Sequence, residues 1–174
     1  MATLPFVEAY SSHPESGSGA GSGLGPAAVL VRGAVSADLP AVRALLADAS
    51  LPLDGAGEAF GHGVVAEAGG ALVGAAAIEP YGTDGLLRSV VVTPSFRGTG
   101  LGRTLVGAAE AVARELGIRD LYLLTETAID WFPRLGYEPL GRDAAPAAVA
   151  ASVEFTVSCK DTGVLMRRTL DRAS

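Results

Sequence analysis

The residues with the clearest capacity for chemistry form one glycine-rich segment, Arg97-Gly98-Thr99-Gly100-Leu101-Gly102-Arg103. Its three glycines let the backbone approach a ligand closely and present N–H groups to it. An apolar, strand-like run (86–93) precedes the segment, and a run with helical spacing (101–116) follows it. The unpaired N–H groups and positive dipole end of that helix attract anions, as do the two arginines. The segment therefore predicts a phosphate site, best suited to a pyrophosphate.

Other glycine-rich phosphate loops have different spacing. No Gly-Lys-Ser/Thr follows these glycines, as a Walker A loop requires, and RGxGxG is not the dinucleotide fingerprint GxGxxG. The remaining alternative is a ligand-free helix start with Thr99 or Gly100 as the N-cap. A short glycine motif does not decide between these readings, so the surrounding residues must.

The surrounding pattern extends from about Leu86 to Leu140. It reads strand, Val-x-Pro-x-aromatic, the glycine-rich turn, a long helix, Leu-Gly-Ile, a second strand and then Trp131-Phe132-Pro133-Arg134-Leu135-Gly136-Tyr137. This order resembles the central half of a GNAT-family acetyltransferase. The resemblance implies an α+β fold, with a central mixed and mostly antiparallel sheet that splays between its fourth and fifth strands and is flanked by helices.

The resemblance also implies acetyl-CoA as the acetyl donor, and no metal. In the family, the glycine-rich turn binds the pyrophosphate through backbone N–H groups and basic side chains. The thioester carbonyl lies beside the first splayed strand, whose backbone N–H at Val91 or Val92 is the candidate oxyanion donor. The cofactor-binding residues implied are Val91, Val92, Arg97, Gly98, Thr99, Gly100, Gly102 and Arg103.

Acetyl transfer to an amine needs a group that takes up the amine's proton and benefits from one that protonates the leaving thiolate. Many GNAT enzymes use a tyrosine for the thiolate, but Phe132 stands at that place. Tyr81, Tyr122 or unassisted departure of the thiolate are the alternatives. The candidate bases are Glu79, at the end of a predicted strand, and Glu126, just after the second splayed strand; His62 and a water chain are further options.

Arg88, Ser89 and Thr125 are the candidate substrate-binding residues. The run LRSVVV, with the later LLT and WFPRLGY, resembles the acetyltransferase domain of N-acetylglutamate synthases. Because a planar guanidinium matches two carboxylate oxygens, Arg88 is the expected clamp for an acidic acceptor. The alternative is that Arg88 faces outward or pairs with a structural carboxylate, Glu79 or Asp84.

The C-terminal segment RDAAPAAVAASVEFTVSC, ending GVLMRR, is similar to a GNAT subgroup associated with arsenic-resistance operons. An amino acid or amino-acid-like organoarsenical is thus an expected acceptor. The alternatives are a non-catalytic module that senses acetyl-CoA or a metabolite, which the phenylalanine at 132 favours, and acetylation of proteins. Arsenic binding by the lone Cys159 is not expected, because one thiol cannot chelate arsenite.

The composition restricts the class of partner. With 174 residues, a net charge of −6 and a pI of about 4.8, the chain has no basic stripe for nucleic acid. No apolar run approaches the roughly 20 residues that span a bilayer, and no secretory signal is expected. The single cysteine, Cys159, fits a reducing cytoplasm. A small-molecule amine and acetyl-CoA are the expected partners, and a homodimer is compatible with the sequence.

The chain divides into a Gly/Ser-rich tail (1–26), expected to be flexible, and one GNAT domain (27–174). Gly69-Gly70 predicts a hairpin turn. The predicted strands are 28–32, 62–67, 71–79, 86–93, 121–125, 137–140 and 163–168. The predicted helices are 37–48, 100–116, 128–135 and 144–152, and 51–61 reads as a loop.

Overall fold

A computed structural model describes residues 8–10, 28–158 and 163–170. In this part of the chain eight strands form one sheet in the order β1-β2-β3-β4-β5-β6-β8-β7. All neighbours are antiparallel except β5 and β6. The strands are β1 Glu8–Tyr10, β2 Val29–Gly33, β3 Gly63–Ala68, β4 Ala71–Tyr81, β5 Asp84–Val92, β6 Asp120–Thr125, β7 Glu138–Leu140 and β8 Val164–Thr169.

Helices cover both faces of the sheet. The longest helix, α3 (Leu101–Glu115), buries a stripe that includes Leu105 and Ala109 against β3, β4 and β5. Helix α1 (Leu39–Asp48) packs Val42 and Leu46 on the other face. No helix in the described residues is both long and apolar enough to cross a membrane. The helices are α1 Leu39–Asp48, α2 Ala56–Ala59, α3 Leu101–Glu115 and α4 Ala147–Ala150, with 3-10 turns at Ser36–Asp38, Phe60–His62, Pro94–Phe96, Phe132–Leu135 and Arg142–Ala144 and a π-helix at Glu154–Ser158.

The parallel pair β5–β6 is the feature that opens the sheet. The two strands pair only at their beginnings, where residues 84–86 face residues 120–122. Further along, β5 carries a bulge, because Ser89 and Val90 together oppose the single residue Ala76 of β4. The strands then diverge, so the predicted splay between the fourth and fifth strands of the sequence-based scheme is confirmed.

Several element boundaries follow the sequence closely. Gly69 and Gly70 both have positive φ, as the predicted hairpin turn requires. Helix α3 ends before Gly117, which has a φ of 79° and donates its N–H to the Arg114 carbonyl. The Asp38 carboxylate stabilises the start of the 3-10 turn before α1 by accepting the Val35 N–H at 2.8 Å.

Three expectations about segments need correction or stay open. The predicted loop 51–61 contains α2 and a 3-10 turn, and the predicted helix 144–152 is shorter and is followed by a π-helix. Within the predicted flexible tail, Glu8–Tyr10 form the edge strand β1. The rest of the tail and Cys159 lie outside the described residues, so the domain boundary near residue 27 stays a prediction.

Candidate functional site

The divergence of β5 and β6 opens a cleft of about 620 Å³ beside the glycine-rich turn. Its floor comes from β5 and its walls from the turn, from the start of α3 and from the segment after β6. The lining residues are Val90, Val92, Phe96, Arg97, Gly98, Gly100, Gly102, Arg103, Thr127, Ala128, Trp131 and Phe132.

The backbone of the turn is shaped by two left-handed glycines. Gly98 has a φ of 76°, and Gly100, the N-cap of α3, has a φ of 91°. A side chain at either position would be strained, so glycine is required by the local geometry. Thr104 is the first residue of α3 whose N–H makes the helical hydrogen bond, which it donates to the Gly100 carbonyl. The N–H groups of residues 101–103 therefore remain available to an anion at the end of the cleft.

The side chains of the turn mostly support its own backbone. Arg97 donates from Nε to the Val92 carbonyl at 3.1 Å, and the Thr99 hydroxyl donates to the Phe96 carbonyl at 2.7 Å. Arg97, Thr99 and Arg103 are exposed. A Cβ on Gly102 would lie 3.2 Å from the Trp131 ring, so this glycine also allows the indole to pack against α3.

The backbone N–H and C=O groups of Val91 and Val92 point to opposite sides of β5. The Thr93 N–H donates to the Val73 carbonyl of β4, and peptide direction alternates along a strand. The N–H and C=O of Val92 therefore face the gap, where Arg97 meets the carbonyl. The Val91 peptide faces β4, and the Val91 side chain packs in the core beneath α1. The alternation makes Val92 the better placed oxyanion donor of the two.

A second, smaller pocket of about 100 Å³ continues from the cleft along β5 and β6. The two cavities share Val90, Thr127, Ala128 and Phe132. The other residues that line the small pocket are Leu51, Pro52, Leu87, Arg88, Ser89, Leu123, Leu124, Thr125 and Glu154. All three residues predicted to bind substrate thus line one pocket, next to the cleft that six of the eight predicted cofactor residues line; Val91 and Thr99 do not line it.

Among the described residues Arg88 is the only cation that lines this pocket, and its side chain is 1% exposed. Its Nη1 lies 2.6 Å from Glu79 Oε1, and its Nη2 lies 2.9 Å from Glu154 Oε2 and also donates to the Asp54 carbonyl. Nε is buried and has no hydrogen-bond partner in the described residues. The pairing with Glu79 is the alternative that the sequence left open, whereas Glu154 was not anticipated.

Ser89 and Thr125 sit where the strands separate. Ser89 occupies the bulge with a φ of 55°, which is uncommon outside glycine and marks backbone strain. The Thr125 hydroxyl ends β6 by accepting the Ala128 N–H at 3.0 Å. This bond shapes the turn between the two cavities, so Thr125 positions the pocket wall in addition to lining it.

The two candidate bases differ in surroundings. Glu79 is held by Arg88 and by the Tyr81 hydroxyl, which donates to Oε2 at 2.8 Å. Burial and the bond to Glu79 raise the pKa of Tyr81 to about 12. Glu126 is exposed, lies beyond the end of β6 and lines neither cavity, and His62 is half-buried. The structure therefore connects Glu79, but not Glu126, with the small pocket through Arg88.

The ring of Phe132 separates the two cavities. It packs edge-on against Trp131 and Tyr137, with centroids 4.9 and 5.5 Å away. The Tyr137 hydroxyl donates to Glu110 Oε1 in the core at 3.0 Å, and burial raises the pKa of Tyr137. Tyr122 is buried in a different cluster, with Phe155 and Val149. Neither tyrosine lines the described cavities.

In residues 8–10, 28–158 and 163–170, no group of three or more His, Cys, Asp or Glu side chains could hold a metal ion. Residues 59–139 match the family model described as the GNAT acetyltransferase domain. Within those bounds the chain carries a GNAT acetyltransferase domain. The match covers every residue that lines the larger cleft, whereas Leu51, Pro52 and Glu154 of the small pocket lie outside it.

Curated relatives support the same assignment. Over 98 residues the chain is 34% identical to an amino-acid acetyltransferase of Azotobacter vinelandii and 35% identical to that of Pseudomonas syringae pv. tomato. Each alignment covers 55% of this chain and 23% of the relative. The chain therefore spans about a quarter of the length of these relatives.

Solved structures confirm the fold. An N-acetylglutamate synthase from Neisseria gonorrhoeae, complexed with coenzyme A and N-acetyl-glutamate, superposes with a TM-score of 0.71 at 23% identity, over 83% of this chain and 35% of that one. Rv2747 from Mycobacterium tuberculosis, in complex with CoA, gives 0.67 at 24% identity, over 81% and 99% of the two chains. The expected α+β GNAT fold is confirmed.

Proposed function

We propose that this protein is an acetyl-CoA-dependent N-acetyltransferase that acts on the amine of a small, carboxylate-bearing amino acid or amino-acid-like compound. The observation that carries the proposal is the pair of adjoining cavities. A cleft ending in anion-binding backbone leads past the Val92 N–H into a pocket where Arg88 is the one cation among the described lining residues. The relatives named amino-acid acetyltransferase support the substrate class.

In this proposal the 620 Å³ cleft holds acetyl-CoA. The pyrophosphate lies at the left-handed turn of Gly98 and Gly100 and the start of α3, with Arg97 and Arg103 at the exposed rim. Thr99 fixes the turn through its bond to Phe96, and Gly102 admits Trp131 beside the cofactor. The thioester then reaches the splay, where the Val92 N–H is free to stabilise an oxyanion.

The acceptor amine enters from the small pocket. Its nitrogen attacks the thioester carbonyl carbon, a C–N bond forms, the C–S bond breaks, and CoA thiolate leaves. The proton lost by the amine passes to Glu79 through solvent, because Glu79 lies behind Arg88 and does not line the pocket. Glu126 is the less suited alternative. The thiolate departs without a tyrosine, since Phe132 stands beside the reacting atoms.

The substrate's acid group is proposed to bind Arg88, with Ser89 and Thr125 adding polar contacts. Replacing Arg88 by Lys keeps the charge but loses the fork of donors, so KM for an acidic acceptor should rise about tenfold or more. The measurement is thiol release from acetyl-CoA with matched amino acids, amino-acid amides and simple amines. If simple amines react as fast as amino acids in the wild type, the carboxylate clamp is wrong.

The resemblance of the C-terminal segment extends the acceptor panel to amino-acid-like organoarsenicals. Absence of turnover with every amine, together with tight CoA binding, would instead favour the acetyl-CoA-sensing module that Phe132 suggests. A cytoplasmic location, a homodimer and the lack of nucleic-acid partners stay predictions from the sequence.

A further inference from the structure

We propose that Glu154 is a built-in competitor for the acceptor's carboxylate, so that substrate binds Arg88 by displacing it and Glu154 sets the pocket's affinity for acids. This inference rests on the proposed acetyl transfer and names a specificity determinant for it. It starts from an apparent conflict: the proposed clamp, Arg88, already has carboxylates on two of its nitrogens.

The two carboxylates are not equivalent. Glu79 meets Nη1, and it extends from β4, the strand beside Arg88 in the sheet. Glu154 meets Nη2, lines the small pocket and comes from the π-helix after α4. Glu79 therefore belongs to the wall behind the guanidinium, whereas Glu154 occupies the side of it that faces the pocket.

The unpartnered Nε indicates what should bind on that side. Nε and Nη2 form one edge of a guanidinium, and a carboxylate that meets this edge squarely accepts a bond from each. Of these two donors Glu154 meets Nη2, at 2.9 Å, while buried Nε has no partner in the described residues. A small free carboxylate in the pocket can satisfy both donors, which a tethered side chain does not do here.

The exchange leaves the buried charge nearly unchanged. Arg88, Glu79 and Glu154 together carry a net charge of −1, so a second acid entering beside them would be repelled. When the acceptor's carboxylate replaces that of Glu154, one negative charge substitutes for another. Binding of the acceptor then requires the loss of the contact between Glu154 and Arg88. Glu154 competes in the sense that this loss lowers the affinity for the acid.

The segment that carries Glu154 can release it without unfolding. Phe155 and Val149 anchor the segment in an apolar cluster, and the Arg142 guanidinium stacks on the Phe155 ring at 4.6 Å. The flanking side chains of Val153 and Val157 are 40% and 62% exposed. Because Glu154 itself lines the pocket, rotation about its side-chain torsions moves the carboxylate while the anchored backbone stays in place.

The test compares wild type with Glu154→Gln on an amino acid and on its amide, by thiol release and by calorimetry of the acceptor on the CoA complex. We expect KM and Kd for the amino acid to fall about tenfold in the variant, because the competing charge is gone while Arg88 keeps Glu79. Values for the amide should stay within about twofold. Glu115→Gln, an exposed site with the same charge change, is the control and should alter neither.

Glu154→Asp provides a second variant should glutamine disturb folding, since it keeps the charge but withdraws the carboxylate from Nη2. It should also lower KM for the amino acid. Unchanged affinity for the acid, or weaker binding of acid and amide alike, overturns the competitor role and makes Glu154 a structural or amine-binding residue. Lack of turnover with any amine defeats the proposed function instead, and the calorimetry still decides the role of Glu154.

Discussion

The two halves of the site are built in different ways. The cofactor half consists of backbone: left-handed glycines, the unpaired N–H groups of α3 and an open cleft with exposed arginines at its rim. The proposed acceptor half consists of side chains: Arg88 and Glu154 are buried, Glu79 is half-buried, and each glutamate is paired with Arg88. The first half is therefore an open cleft of backbone donors, and the second is a network of paired charges into which a substrate must fit.

This difference follows from what each half must recognise. A pyrophosphate is large and highly charged, so backbone donors and a helix dipole in contact with solvent are sufficient to bind it. A small acceptor must be selected among many amines, and selection needs buried groups that are costly to leave unpaired. We therefore expect substitutions in the first half to act on all ligands alike and those in the second to discriminate.

The largest effect should come from Gly100→Val. At a φ of 91° a β-branched side chain costs about 1–3 kcal/mol of strain, and its bulk also blocks approach of the pyrophosphate. We expect CoA affinity to fall by roughly 100-fold or more. Calorimetry with CoA and with a pantetheine fragment lacking the pyrophosphate measures it, and only CoA should weaken.

Gly107→Ala is the matched control, because Gly107 lies on the exposed face of α3 with nothing within 4 Å of its missing Cβ. It should leave CoA binding unchanged and raise stability by about 0.5–1 kcal/mol. Equal loss for CoA and for the fragment in Gly100→Val would show that the turn does not recognise the pyrophosphate.

The same contrast explains what the sequence could predict. The glycine-rich turn was identified because its residues are contiguous and their spacing reports one local structure. The splay was implied by resemblance and is confirmed by the short pairing of β5 and β6. Local patterns and family resemblance thus predict the scaffold correctly, and the role of the turn in cofactor binding stays a prediction.

The network of Arg88, Glu79 and Glu154 could not be predicted from local patterns, because its members are far apart in the chain. Glu79 and Arg88 meet across adjacent strands, a pairing that the sequence left as an alternative. Glu154 joins them from a π-helix, where hydrophobic periodicity gives no signal, and the predicted helix stopped at residue 152. An acidic residue inside the apolar run Ser152-Val153-Glu154-Phe155 was the available clue, since a buried carboxylate requires a partner.

A smaller effect is expected where the two halves meet. Phe132→Tyr places a hydroxyl at the border of both cavities, beside the predicted position of the leaving thiolate. We expect kcat to rise roughly tenfold, less than a fully positioned general acid contributes, because CoA thiolate already leaves without help. Steady-state kinetics with a fixed acidic acceptor measures the change, and KM for acetyl-CoA should stay constant.

Tyr137→Phe is the reverse exchange on a neighbouring ring and serves as the control. It removes the bond to Glu110 in the core, so it should lower stability by about 1 kcal/mol and leave kcat unchanged. If Phe132→Tyr leaves kcat unchanged or lowers it, departure of the thiolate does not limit the reaction, or the new hydroxyl points away from it.

The smallest effect concerns the rigidity of the acceptor network and appears only at alkaline pH. Burial and the Glu79 bond raise the pKa of Tyr81 to about 12, against an ordinary value near 10. Between these values the unfolded chain loses the tyrosine proton while the folded protein keeps it, so the free energy of unfolding falls as pH rises. The contribution of Tyr81 is complete below pH 10 and is lost through pH 12.

Urea unfolding of wild type and Tyr81→Phe at several pH values measures this contribution. Wild type should be more stable at pH 8 by about 0.5–1.5 kcal/mol, the usual net value of one hydrogen bond, and the difference should shrink above pH 10. Tyr122 and Tyr137, whose pKa values are also raised, remain in both proteins, so the difference between them isolates Tyr81. A difference that stays constant to pH 12 would mean that Tyr81 is not held against Glu79 in solution. The acceptor half would then be looser than its paired charges suggest.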